Sequence, residues 1–172
     1  IWVLSSNVEP DADQTAVCLF AHYFNDLNYF GLNRGEYVGI YQQQLGLISV
    51  IQLVYKIFGD NNYRSFQLIN TLFIGLFIIS NDMIIRNSNI KYKEDAEIIF
   101  LILASTFIPL FIYSDYVYGE VMSIGTISLC CWMISSYLNN EKLYKLFMVA
   151  FCGFFACYVR LNSIIFVIAA FL

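Results

Sequence analysis

Apolar residues in this chain come in blocks close to the length that a helix needs to cross a bilayer, about 20 residues, with short polar segments between them. Residues 66–85 are apolar but for a few polar side chains, and Asp82 stands close to the end. Residues 97–113 and 121–138 carry no charge between their ends. Residues 143–172 are apolar apart from Lys145 and Arg160 and are too long for one crossing. The pattern therefore predicts a break at Arg160-Leu161-Asn162, with spans over 143–159 and 163–172. Residues 1–4 read as the end of a preceding span. A chain that starts without Met in one apolar run and stops inside another is expected to be a fragment.

Between residues 5 and 65 the pattern changes to a helical stripe. Val17, Phe20, Ala21 and Phe24 share one face of a helix over 14–24. A second helix over 43–58 sets Leu47, Val50, Ile51, Val54 and Phe58 on one face and Ser49, Gln52 and Lys56 on another, and Gly59-Asp60-Asn61-Asn62 stops it. Neither segment is polar enough for free solution or long enough to span. They are expected to lie in the membrane interface as amphipathic helices, with Tyr29, Phe30, Tyr37 and Tyr41 at the same depth. The fold class that follows is an all-α integral membrane protein. It is a multi-span helical bundle whose long extracytoplasmic first loop, residues 5–65, contains two amphipathic juxtamembrane helices.

Composition agrees with this reading: 59% of residues are hydrophobic, 18% aromatic and 13% charged, and mean hydropathy is +0.65. The net charge of −4 carries little information, since the acids lie in short segments. With no polybasic run, nucleic acid is excluded as a partner and membrane lipid is the expected surroundings. Of five cysteines only Cys18 lies outside an apolar run, so the set reads as small core residues and not as a disulfide framework. Arg86, Lys91 and Lys93 share one loop and Lys142 and Lys145 the next loop on that side, which makes both cytoplasmic. Residues 5–65, the loop 114–120 and the Arg160 turn then share the opposite face.

That face holds the charges that need a reason. Glu9, Asp11 and Asp13 cluster before the first amphipathic helix. Asp11 with Gln14 three residues on has capping-box spacing, whereas Asp13 would face Ala16 and gain no reciprocal bond. Asp11 is therefore assigned to the cap. Glu120 opens a charge-free helix, where a helix dipole alone favours an acid. Arg160 is an ionisable residue at membrane depth, a functional candidate whose plain alternative is a snorkelling arginine among headgroups. Asp115 reads as a bystander in a solvated loop. His22 stands alone on the polar side of its helix, with no metal-ligand partner at the usual spacing. Gln42-Gln43-Gln44 reads as the polar start of the second amphipathic helix.

Four short segments occur in a telling order: Pro10-Asp11-Ala12-Asp13-Gln14 leading into Ala16 and Ala21, Tyr41-Gln42-Gln43-Gln44-Leu45-Gly46, Tyr118-Gly119-Glu120, and Tyr158-Val159-Arg160-Leu161-Asn162. With a span before them and short-looped spans after, this layout resembles the GT-C glycosyltransferases. It is most similar to the branch of protein O-mannosyltransferases and lipid A aminoarabinose transferases. Where that family carries an acidic pair after its first span, this chain has Asp13-Gln14.

The resemblance implies a plasma-membrane enzyme that moves a sugar from a polyprenyl-phosphate donor to a glycan, lipid or protein acceptor on the extracytoplasmic face, with inversion. It implies Asp13 as general base, Glu120 as a second acid in the acceptor site or on a metal, and Arg160 on the donor phosphate. Tyr41, Gln43 and Tyr118 would bind substrate. The need for a cofactor, a divalent metal ion being the candidate, is left open. Two other classes compete. A transporter or lipid flippase would have a cavity reaching the bilayer midplane. In a non-catalytic scaffold Asp13 would point to solvent beside Asp11.

Overall fold

The computed structural model of the chain describes residues 2–6 and 8–170. Among them every regular element is a helix and no strand forms. The elements are α1 (Trp2–Ser6), α2 (Asp13–Asn25), α3 (Tyr37–Ile40), α4 (Leu45–Phe58), α5 (Tyr63–Asn87), α6 (Lys93–Thr106), α7 (Ile108–Ile112), α8 (Glu120–Asn139), α9 (Leu143–Val159) and α10 (Ile164–Ala170). Ile1, and the last two residues of the expected span over 163–172, lie outside the described residues.

By length and composition, α5 and α8 can each cross a membrane, and the bent pair α6 and α7 makes up to a third. The helix α9, 17 residues long, is apolar but shorter. The span expected over 97–113 is not one straight helix but the bent pair. The chain bends there by 54°, at Phe107. Pro109 explains the bend: it has no N–H for the preceding turn and its ring clashes with that turn's carbonyl, so it fits only in the first turn of a new helix, α7.

α5, α8 and α9 form the body of the bundle. A Cβ on Gly125 would lie 2.5 Å from the Phe73 carbonyl oxygen, so α8 meets α5 at near-backbone contact, the approach that small residues allow between apolar helices. Asn81 Nδ2 donates to Ser128 Oγ at 3.1 Å across the same seam. Lys145, assigned from sequence to a cytoplasmic loop, lies in the first turn of α9 and is buried. Its ammonium donates to the Ser136 carbonyl at 2.6 Å and to Ser136 Oγ at 2.7 Å, placing a cation at the C-terminal end of α8 where the helix dipole favours one. Nearby Arg86 pairs with Asp82 at 2.8 Å and reaches Glu97 on α6. Ile98, Ile99, Ile102 and Leu103 on α6, and Phe147, Phe151 and Phe154 on α9, are all more than half exposed. So continuous an apolar surface suits lipid better than water.

α2 and α4 form, but not as two separate interfacial helices. Val17, Phe20, Ala21 and Phe24 of α2 bury against Leu47, Ile51 and Val54 of α4, because two complementary stripes remove more apolar surface from water facing each other than either does alone. α4 keeps a second apolar row, Leu53, Ile57 and Phe58, at the surface. Gly59 ends it at φ 105°, a conformation open to glycine, and the Asn62 side chain caps α5 by accepting from Ser65 N–H at 3.2 Å. All five cysteines are free, and Cys18, Cys130 and Cys152 are buried.

Candidate functional site

The site is built at the end of the bundle where α2, α4, α8 and the close of α9 meet. Helix α2 starts at Asp13, directly after Ala12 at φ 50°, ψ −120°. An L side chain in that region stores strain of about 1–3 kcal/mol, which persists only where surrounding contacts over-determine it. Those contacts are visible: Ala12 N–H donates to Asp11 Oδ1 at 2.7 Å, and Thr15 Oγ1 donates to the Pro10 carbonyl at 2.9 Å. The capping box expected of Asp11 and Gln14 does not form. Ala12 occupies the N-cap, and Gln14 is buried with its Oε1 accepting a 2.7 Å bond from the backbone N–H of Val117. Asp13 remains exposed in the first turn of α2.

Two carboxamides on α5 fix the partner loop. Gln67 Nε2 donates both to the Val8 carbonyl at 3.0 Å and to the Asp115 carbonyl at 2.5 Å. Asn70 Nδ2 donates to the carbonyls of Ser114 and of Tyr116, the latter at 2.9 Å. Both side chains are at most 2% exposed, and in that setting a backbone carbonyl without its donor costs about 1–3 kcal/mol. One side chain, Gln67, thus ties the segment before Asp13 to the loop before Tyr118. Asp115, read from sequence as a solvated bystander, is instead buried within this tether.

Arg160 is seated by two glycines. A Cβ on Gly46 would lie 1.7 Å from the Tyr158 carbonyl oxygen, and one on Gly119 would lie 2.3 Å from that of Val159. The end of α9 therefore runs in backbone contact with both α4 and the start of α8. Ser49 Oγ donates to the Gly46 carbonyl at 2.8 Å, so in its 2.5 Å contact with Tyr158 the tyrosine is the donor. From this platform Arg160 Nη2 reaches Glu120 Oε1 at 2.8 Å, both side chains about one-third exposed. The pair uses one guanidinium nitrogen, which leaves other N–H donors of the fork free for an anion.

The Tyr118 hydroxyl lies within electrostatic range of these charges and of Asp13. Burial raises the pKa of its hydroxyl, the negative charges of Asp13, Glu120 and Asp11 raise it further, and Arg160 partly offsets them. Tyr37 is pushed up to about 12, first by burial, then by Asp13, Tyr118 and Tyr41. Phe20 stacks on Tyr37 at 5.8 Å and Tyr37 meets Tyr41 at 5.1 Å, an aromatic wall beside the charges. Asp13, Tyr41, Tyr118, Glu120 and Arg160 therefore share one neighbourhood. Gln43 sits exposed in the 3-10 turn Gln42–Gln44, with no hydrogen bond to that group among the described residues. Tyr37, Gln14, Gln67, Asn70, Gly46 and Gly119 were not singled out from sequence as parts of a site. Gln14, Gly46 and Gly119 lie within the four segments quoted above, and Gln67 and Asn70 are polar residues inside an apolar run.

Among the described residues no group of three or more His, Cys, Asp or Glu side chains is arranged to hold a metal ion. His22 is not alone: its Nδ1 lies 2.5 Å from Asp60 and its Nε2 3.9 Å from Asp26. These contacts use opposite ring nitrogens, so they clamp the end of α2 to the α4–α5 turn and do not share a cation. No protein-family model, curated protein or solved structure matches the chain.

Proposed function

We propose that this chain is the catalytic part of a multi-pass membrane glycosyltransferase that resembles the GT-C enzymes, with its site on the extracytoplasmic face of the plasma membrane. The observation that carries the reading is the Glu120–Arg160 ion pair at one end of an apolar helix bundle, with the Asp13 charge near enough to act on the Tyr118 hydroxyl as that pair does. An exposed carboxylate and a half-free guanidinium are the two groups that transfer from a lipid phosphate requires.

In the proposed step the acceptor hydroxyl or amine attacks the anomeric carbon and gives its proton to the Asp13 carboxylate. The bond from that carbon to the phosphate oxygen breaks, and polyprenyl phosphate leaves with the electron pair. Negative charge grows on the departing phosphate, where the Arg160 N–H donors left free by Glu120 stabilise it. Glu120 holds the guanidinium plane and shapes the acceptor side. Tyr118, Tyr37 and Tyr41 supply aromatic faces and neutral hydroxyls for sugar binding.

Incubating the full-length protein with a panel of polyprenyl-phosphate sugars, and measuring release of the lipid phosphate, tests the proposal. Release from at least one donor, abolished in Asp13→Asn at normal protein level, is the expected result. Absence of release from every donor would overturn it in favour of a transporter, flippase or scaffold.

A further inference from the structure

A second site lies beside the first and uses none of its charges. Between α4 and the last turns of α9 runs a groove of about 420 Å³ lined by Ser49, Gln52, Lys56, Leu53, Phe154 and Tyr158, with Val50 and Phe155 at its floor. That volume is in the small-ligand range of about 300–1,000 Å³.

Its lining is divided into a polar part on α4 and an aromatic part on α9. Gln52 and Lys56 stand one turn apart on α4, the helix that crosses the end of α9 at the Gly46–Tyr158 contact. Phe154 and Phe155 lie a turn further into α9, where Phe154 is 68% exposed and continuous with the outward-facing Phe151 and Phe147. Ser49 and Tyr158 satisfy each other, so the polar groups left for a ligand are the Gln52 carboxamide and the Lys56 ammonium. Lys56 forms no ion pair among the described residues. A cation and an amide beside an aromatic slot that opens to an apolar surface match an anionic head on an apolar chain. Arg160 points away, towards Glu120, and does not line the groove.

We propose that the α4–α9 groove seats one anionic glycerophospholipid, its phosphodiester on Lys56 and Gln52 and one acyl chain along Phe154 and Phe155. The lipid would fasten α4 to the headgroup layer and fill the gap between α4 and α9, independently of whether the neighbouring site transfers sugars.

The test is native mass spectrometry of the delipidated full-length protein with phosphatidylglycerol or phosphatidylcholine added. Phosphatidylglycerol should be retained in preference, and Lys56→Gln should lower its retention about fivefold, the factor expected for one basic residue at an anionic surface. Lys56→Arg should restore it. Val50→Trp, which fills the floor, should lower retention with the charge intact, and Lys142→Gln, at the other end of the bundle, should change nothing. Equal retention of both lipids, or indifference to Lys56→Gln, would overturn the proposal. So would displacement by a polyprenyl phosphate that binds wild type but not Lys56→Gln, since the groove would then belong to the sugar donor.

Discussion

Gln14 Oε1 accepts a 2.7 Å hydrogen bond from the backbone N–H of Val117, a residue 103 positions away, and both groups are buried. Through that bond the helix that begins with Asp13 is held against the loop that ends in Tyr118 and Glu120. The site is a product of the tether as much as of the charges.

Removing the tether should therefore separate stability from charge. Gln14→Leu keeps the bulk but leaves the Val117 N–H unpartnered, at a cost of about 1–3 kcal/mol. Thermal unfolding in detergent should show the loss, and transfer at saturating donor should fall while Asp13 itself is intact. A variant as stable and as active as wild type would remove Gln14 from the account.

The seating of Arg160 depends on two missing side chains. Gly46→Ala and Gly119→Ala each drive a methyl into a backbone carbonyl, and overpacking of this kind costs about 1–3 kcal/mol. The end of α9 must shift, and a displacement near 1 Å at a reacting group can lower turnover about a hundredfold. Gly75→Ala is the control: its Cβ meets nothing within 4 Å, and alanine in a helix interior is favoured by up to about 1 kcal/mol. Thermal unfolding and transfer assays on the three variants should sort them into two damaged and one improved.

For Arg160 the question is whether the fork or only the charge matters. Arg160→Ala should raise the donor KM about tenfold to a hundredfold, the worth of one charge-assisted hydrogen bond. Arg160→Lys keeps the charge but cannot hold Glu120 and a phosphate oxygen in one plane, so donor affinity should recover only in part. Full recovery in the lysine variant would exclude recognition through the fork.

Asp13 is exposed and makes no side-chain hydrogen bond or ion pair among the described residues, so Asp13→Asn should leave the unfolding temperature unchanged. Transfer should fall by about a hundredfold to ten-thousandfold, the usual weight of a positioned base. Wild-type turnover in that variant, at equal protein level in the membrane, would sink the mechanism. Ala12→Gly is the companion, because it relieves the positive φ and loosens the entry to Asp13: unfolding should hold or rise while turnover drops.

Most of the helices can be read from the chain because their causes are local. The stripe of Val17, Phe20, Ala21 and Phe24, the stop at Gly59 and the charge at Arg160 in an apolar run each act over a turn or two. The bend at Phe107 was equally local, since Pro109 sits in the sequence, yet the uninterrupted apolar pattern across it hides the break. Asp11 and Gln14 misled for the opposite reason. Their spacing satisfies a local rule, but Gln14 finds in Val117 a buried donor that has no other partner, and satisfying that donor outweighs a cap that water can replace.

Sequence alone determined that this is an apolar, helical chain with scarce charges, because hydropathy and period are sums over neighbours along the chain; Arg160 stood out by interrupting an apolar run, whereas Asp13 and Glu120 were raised above capping and dipole roles only by the family resemblance. Tertiary structure decided that α2 and α4 face each other, that Asp115 and Lys145 are buried, and that Gln67 and Asn70, 44 to 48 residues from the loop they hold, bring Asp13 and Tyr118 together. Those outcomes rest on pairing each buried donor with an acceptor and each close backbone approach with a glycine. Such pairings link positions far apart in the chain, and no window along the sequence contains both partners.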